Sequence, residues 1–312
     1  MSITTLAGGV GAAKFLRGLI RRVEPRRLNV IVNTGDDEEF YGLHVSPDID
    51  TVTYTLAGMS NPVTGWGLAG ESFNALGALG RFYGKGWFAL GDRDLATHIY
   101  RTERLKQGWP LSRITAEIAR RCKVSARILP MSDDRVRTFV KLRGRPALPF
   151  QEYFVRNRAR GHVEKIELRG IEQARPLPQA LAAIGSSHAV ILAPSNPLVS
   201  LGPILGFESV RSALRSMKER VAAISPLVGG KPIKGCADKM MRGLGHEVSP
   251  LGLARMYQDC VGTLIIDQVD RRYLEPIRAL GMNAVATDTI MSTPARATAV
   301  ADVVLAALEV YS

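Results

Sequence analysis

The sequence predicts an α/β protein of the Rossmann-like, doubly wound kind. A mostly parallel sheet is expected to carry a small inserted helical subdomain and an antiparallel patch. Three observations carry this prediction. Short apolar runs alternate with segments of helical periodicity along both ends of the chain. The runs stop at loops rich in Gly, Pro, Asn, Asp and Lys, where sheets of this kind bind ligands. Two helical segments in succession, followed by alternating residues, interrupt that rhythm in the middle.

The elements follow in order. Ile3 to Ala7 is β-prone, Gly8-Gly9-Val10-Gly11 is a turn, and Ala12 to Val23 places Phe15, Leu16, Leu19 and Ile20 at helical spacing until Pro25. Leu28 to Val32 is a second strand, which makes a parallel βαβ unit. Asp50 to Ala57 reads as a short helix, Gly58 to Gly86 as a glycine-rich stretch, and Trp87 to Leu90 as a strand. Leu95 to Gln107 and Ser112 to Cys122 read as helices, the second with Ser112 or Thr115 as cap. Val136 to Leu142, Gln151 to Val155 and Val163 to Leu168 alternate as an antiparallel patch studded with arginines between Arg143 and Arg160. The αβ rhythm then resumes: helices are expected over Leu177 to Ile184, Ser209 to Lys218, Gly252 to Asp259 and Pro294 to Leu308. Strands are expected over Ala189 to Leu192, Val221 to Ile224, Leu264 to Ile266 and Asn283 to Ala286. The core is assigned to 1–94 and 171–312, the helical insertion to 95–130 and the antiparallel patch to 131–170.

Composition narrows the function classes. The chain has 312 residues, 46% hydrophobic and 22% charged, the balance of a globular protein with an ordinary core. Cys122, Cys236 and Cys260 are odd in number and form no CxxC, which argues against a disulfide framework or a thiolate zinc site and for a reducing compartment. No basic segment followed by an apolar one opens the chain, and no uncharged apolar run approaches the ~18 residues of a membrane span. A cytoplasmic protein without membrane attachment is expected. With 41 Lys+Arg against 29 Asp+Glu the net charge is +12, which suits an anionic partner: nucleic acid, a membrane surface or a small anion.

Loop chemistry favours the small anion. Gly8, Gly9, Val10 and Gly11 let backbone N–H groups approach a phosphate, with Lys14 on the first helical turn. GxxxxGK[ST] is absent, and Lys14 stands where a dinucleotide fingerprint keeps its third glycine. Four consecutive acids follow the second strand. Adjacent Asp36 and Asp37, with Asp48 nearby, repel unless a cation compensates them, and an all-oxygen set points to Mg²⁺. Arg93, between Asp92 and Asp94, either neutralises a surface cluster or orients a substrate. Ser195 and Asn196, between two prolines, either shape a turn or donate to a phosphate. Lys231 and Lys234, in a Gly/Pro loop, suggest an anion clamp. No Ser-His-Asp or Cys-His arrangement is assignable. The arginine-rich patch has few aromatics, so nucleic acid is not the expected partner.

Taken jointly, Ala7 to Lys14, Val32 to Asp37, His44 to Thr51, Leu90 to Asp94 and Ala193 to Pro197 resemble the 2-phospho-L-lactate transferase family of coenzyme F420 biosynthesis, nearly end to end. One departure is Cys236 in Lys234-Gly235-Cys236-Ala237-Asp238, where the family more often has proline. The resemblance implies transfer of a phospholactyl-type group (lactyl, enolpyruvyl or glyceryl phosphate) from a GDP-activated donor to the ribityl hydroxyl of the deazaflavin Fo, 7,8-didemethyl-8-hydroxy-5-deazariboflavin. GMP leaves, and F420-0 or its dehydro form results. It implies Mg²⁺ as cofactor and a homodimer. Asp50 and Arg93 match the Fo-binding pair, with Asp50, Asp36 and Asp37 as the catalytic acids. Gly8 to Gly11, Lys14, Ser195, Asn196, Lys231 and Lys234 fall on the nucleotide side. Two other readings compete. An NAD(P)-dependent oxidoreductase explains the first turn but not the acidic loop. A nucleotide-sugar-binding regulator of the gluconeogenesis-factor type shares the fold, but Ser46 to Asp50 favours the transferase.

Overall fold

The computed structural model describes residues 1–310. The chain opens with β1 (Ile3–Ala7), α1 (Gly9–Leu19) and β2 (Leu28–Val32). A hairpin of β3 (Glu38–Phe40) and β4 (Leu43–Val45) leads into α2 (Pro47–Leu56). Its two-residue loop, Tyr41-Gly42, has φ of 53° and 74°, the double left-handed conformation of a tight hairpin turn. After α3 (Asn74–Tyr83), α4 (Asp94–Lys106) and α5 (Leu111–Arg121) the chain returns to the central sheet as β5 (Arg127–Pro130). The small sheet β7-β6-β8 is built from β6 (Arg137–Leu142), β7 (Leu148–Pro149) and β8 (Val163–Arg169).

The second half runs α6 (Pro178–Ser186), β9 (Ala189–Leu192), α7 (Gly202–Leu205), α8 (Glu208–Ser216) and β10 (Val221–Ile224). A second hairpin, β11 (Leu227–Val228) and β12 (Lys231–Pro232), precedes α9 (Ala237–Gly243) and α10 (Pro250–Tyr257). The fold closes with β13 (Thr263–Asp267), α11 (Leu274–Arg278), β14 (Asn283–Thr287) and α12 (Pro294–Ala307).

The central sheet has seven strands in the order β14-β13-β10-β9-β1-β2-β5. Every pairing in it is parallel. Parallel strands covered on both faces must be apolar on both faces, and β1, β2, β9 and β10 are buried at every position. Val30 and Val32 point to the layer holding Phe15, Leu16 and Val300; Ile31 points to the opposite layer with Leu192, Leu214 and Leu264. From β1 the chain winds outward through β2 to β5. From β9 it winds the other way through β10 and β13 to β14. The direction reverses between β1 and β9, and the crevice beyond their carboxyl ends is the binding position such sheets provide.

The sheet confirms the expected α/β class, and several local expectations change. Trp87 to Leu90 is not a strand: its rings pack on Phe40, with Phe88 stacked at 4.1 Å and Trp87 edge-on at 5.2 Å. Gln151 to Val155 is not a strand either. Glu152–Arg156 forms a wide helical turn, and its Phe154 stacks on Phe150, just before the turn, at 5.5 Å. Arg127–Pro130, within the stretch read as the helical insertion, is the edge strand beside β2. Neither Ser112 nor Thr115 caps α5. Pro110 is its N-cap residue, Ser112 hydrogen-bonds Asp133, and Thr115 is buried inside the helix. The first helix ends at Leu19 rather than Val23.

Candidate active site

A cavity of about 700 Å³ opens at the β1/β9 crevice. Its floor is the β1–α1 turn. Gly9 has φ of +71°, a conformation that favours glycine, and above its missing side chain the nearest atom is an Asp48 oxygen at 3.8 Å. A Cβ on Gly11 would meet the Pro194 carbonyl at 2.2 Å, so Gly11 lets α1 seat against the loop after β9. Backbone N–H of Gly8 donates to Ser195 Oγ at 3.3 Å, which ties the two strand ends together. Asn196 lines the cavity, but its side-chain oxygen accepts from Leu198 and Val199 N–H and shapes the turn.

Two carboxylates stand beside this turn. Asp36 follows β2, and Asp48 belongs to the first turn of α2, whose start is set by Pro47. Both line the cavity, and each is at most 7% exposed. Asn33 Nδ2 donates to Asp48 Oδ2 at 2.9 Å, while Asn33 Oδ1 accepts from Gly35 N–H at 2.8 Å, so Asn33 fixes the direction of Asp48. Burial raises the Asp36 carboxyl well above its ordinary value, and the Asp48 charge adds to this. Burial raises Asp48 to about 6 against the opposing hydrogen bonds of Asn33 and Gly9 N–H. Among the described residues neither carboxylate has a basic partner, and Asp36 Oδ1 has no hydrogen-bond partner at all. Two dry carboxylates with no basic partner among the described residues fit a divalent cation that takes its other ligands from water and phosphate, as Mg²⁺ does. Asp37 turns away: it accepts from Ser46 Oγ at 2.6 Å and contacts His44 Nε2 at 3.0 Å, outside the cavity lining. Among the described residues no group of three or more His, Cys, Asp and Glu side chains could hold a metal ion.

Lys14 and Lys234 bring positive charge to the same cavity from opposite halves of the chain. Lys234 Nζ donates to the Thr64 carbonyl, and its pKa is lowered, first by burial and then by the charge of Lys14. Lys14 makes no hydrogen bond or ion pair among the described residues. Lys231 sits exposed on β12, outside the lining.

Asp50 lines the cavity, two residues beyond Asp48. Its ion-pair partner is Arg101 of α4: both Asp50 oxygens accept from the Arg101 guanidinium. His98 Nδ1 lies 3.7 Å from Asp50 and its Nε2 3.5 Å from Asp94, which accepts from Tyr54 Oη at 2.6 Å. Arg93 lies outside the lining and donates to the Ala69 carbonyl at 2.7 Å, bracing the loop that carries Trp66 and Gly67 over the cavity. Five aromatic side chains, Trp66, Trp87, Phe88, Phe150 and Phe154, also form part of the cavity wall. Sequence reasoning missed Asn33, His98, Arg101 and this wall. The i, i+4 spacing of Phe150 and Phe154 was the one local signal available for it.

The crevice gathers a phosphate-type turn, paired acids and two cations, and comparison with known proteins gives the class of the chain, a transferase. The family model for 2-phospho-L-lactate transferase CofD matches residues 3–305. A phosphoenolpyruvate transferase of Streptomyces griseus is 42% identical over 297 residues, covering 94% of this chain and 93% of its own. One from Thermobifida fusca is 42% identical over 315 residues, covering 96% of each. A solved Bacillus halodurans protein of the UPF0052 family superposes with a TM-score of 0.64 at 14% identity, covering 97% of this chain and 98% of its own, which shows a shared fold. The chain belongs to the 2-phospho-L-lactate transferase CofD family, and it is a transferase of that type.

Proposed function

We propose that the protein transfers an enolpyruvyl phosphate group from a GDP-linked donor to the ribityl hydroxyl of Fo, giving GMP and dehydro-F420-0. The observation that carries this reading is one cavity lined both by a phosphate-type turn with paired carboxylates and two lysines and by five aromatic side chains. The enolpyruvyl form, among the three acids conceivable from sequence, is favoured by the relatives named phosphoenolpyruvate transferase. The diphosphate lies over the Gly8–Gly11 turn between Lys14 and Lys234, and the tricycle of Fo lies along the aromatic wall.

In the reaction the acceptor oxygen forms a bond to the phosphorus that carries the three-carbon acid. The bond from that phosphorus to the bridging oxygen breaks, and its electron pair leaves with GMP. Asp50 accepts the hydrogen bond of the attacking hydroxyl and orients it; the proton is released to solvent as the new ester forms. Asp36 and Asp48 would hold Mg²⁺, which supplies neutralisation of the developing phosphate charge. Turn N–H groups and the two lysines stabilise the departing GMP. No protein nucleophile is required, in keeping with the lack of an assignable catalytic triad. Arg93 acts at a distance by holding the 66–69 loop over the acceptor, and Asp37 by fixing Ser46 at the start of α2. Incubation of the pure protein with Fo, Mg²⁺ and each GDP-linked donor, followed by mass analysis, tests the reading. Dehydro-F420-0 from the enolpyruvyl donor is expected. Product only from the lactyl or glyceryl donor would change the donor assignment, and no product from any would overturn the reading.

A further inference from the structure

We propose that Arg101 is the positioning residue of this site: its guanidinium sets the Asp50 carboxylate at the cavity wall in the one orientation that receives the acceptor hydroxyl. This inference rests on the function proposed above. Arg101 is wholly buried, does not line the cavity, and reaches Asp50 from α4. Its two terminal nitrogens go to the two carboxylate oxygens, Nη1 to Oδ2 at 3.1 Å and Nη2 to Oδ1. A bidentate fork fixes the plane of a carboxylate as well as its place, which a lysine cannot do.

The surroundings restrain the arginine in turn. Arg101 Nη1 reaches the His44 carbonyl and His98 Nδ1 at 3.5 and 3.3 Å. His98 lies between Asp50 and Asp94, and Tyr54 closes the row by donating to Asp94 while its oxygen also contacts Thr97 Oγ1. Asp50, Tyr54, Asp94 and His98 all reach the cavity, so the row forms part of its wall. A buried ion pair is a poor way merely to join two helices, because desolvation offsets most of its attraction and apolar residues of the same size would serve. Here the pair keeps an acceptor, already oriented, on a cavity wall. The same geometry limits what Asp50 can do. With both oxygens held by a guanidinium it orients the hydroxyl and stabilises its partial positive charge rather than carrying off the proton.

A double-mutant cycle tests this. Asp50→Asn and Arg101→Gln should each lower kcat by about 100-fold, the scale of a lost alignment, with little change in KM for the GDP-linked donor. If Arg101 acts only through Asp50, Asp50→Asn/Arg101→Gln will be no slower than Asp50→Asn alone. The double variant also removes both buried charges together, which favours folding. Arg101→Lys, which keeps the charge without the fork, should recover only part of kcat. If Arg101→Gln does not fold, the same cycle is run with Arg101→Lys and judged by the same criterion. Losses that multiply toward 10⁴-fold, or an Arg101 variant that folds and turns over at the wild-type rate, would overturn the inference while leaving the proposed function intact. Wild-type protein that forms no product would overturn the proposed function, and the inference with it.

Discussion

Asp48 shows what it takes to keep a carboxylate dry. Burial raises its pKa from 3.8 to about 6, so in the metal-free protein its ionised form opposes folding. By linkage, below the unfolded value both states are protonated and no penalty exists; the penalty grows as pH rises from the unfolded to the folded value and is full above it. Asp48→Asn should therefore stabilise the metal-free protein at pH 7.5, by up to about 2 kcal/mol. That advantage should shrink to nothing between pH 6 and 4. Melting curves in chelator across this range check it; a variant less stable than wild type at pH 7.5 would contradict the account. The same substitution removes a ligand, so added Mg²⁺ should raise the melting temperature of wild type but not of the variant, and turnover should be lost. The identity of these acids was legible in the sequence, because consecutive carboxylates are conspicuous. Their division of labour was not. Asp36 and Asp37 are neighbours in the chain, yet one faces the cavity and the other faces Ser46, and only the direction of the backbone after β2 decides which.

Elements place these residues, and the turns between them tolerate little. Gly11→Ala would drive a Cβ against the Pro194 carbonyl, backbone against backbone, so α1 must shift away from the β9 loop. Loss of activity with a fall in stability of roughly 1–3 kcal/mol is expected. Gly77 in α3 is the control: a Cβ there meets nothing within 4 Å, and alanine should stabilise by up to about 1 kcal/mol through helix propensity. Thermal melts of both variants check the contrast. A third test concerns the joint between α8 and the end of α10. Arg211 and Arg215 hydrogen-bond Asp259, with Arg211 the larger influence, and hold its carboxyl below its ordinary 3.8. A depressed value means stability present above the unfolded pKa and lost as pH falls below it. Asp259→Asn should be destabilised by about 1 kcal/mol at pH 7, with the gap closing below about pH 4. The parallel strands were legible at this scale because burial on both faces leaves uninterrupted apolar runs. The hairpin at 38–45 and the turn at 152–156 were not. Their acids, arginines and aromatics answer to partners far along the chain: Glu38 pairs with Arg137, and Phe40 packs on Trp87 and Phe88.

At the scale of the molecule, the cavity exists because two halves of the chain wind away from each other. The first half brings the β1–α1 turn, the carboxylates and Lys14; the second brings Ser195, Asn196 and Lys234. Neither lysine has an acidic partner among the described residues, and the charge of Lys14 lowers the pKa of Lys234. Two cations facing one crevice repel in the empty protein and are reconciled by a polyanion between them. GDP should accordingly stabilise the protein, by about 2.7 kcal/mol at a hundredfold excess over Kd. Lys14→Gln and Lys234→Gln should each weaken GDP roughly tenfold without lowering the melting temperature of the nucleotide-free protein. Because screening acts on exactly this attraction, raising salt from about 50 to 500 mM should weaken GDP binding to wild type more than to either variant. Calorimetric titrations at the two ionic strengths decide the matter. Equal affinity for GDP in wild type and both variants would mean that the nucleotide lies elsewhere, and the two halves would then meet at this crevice for a reason other than holding a diphosphate.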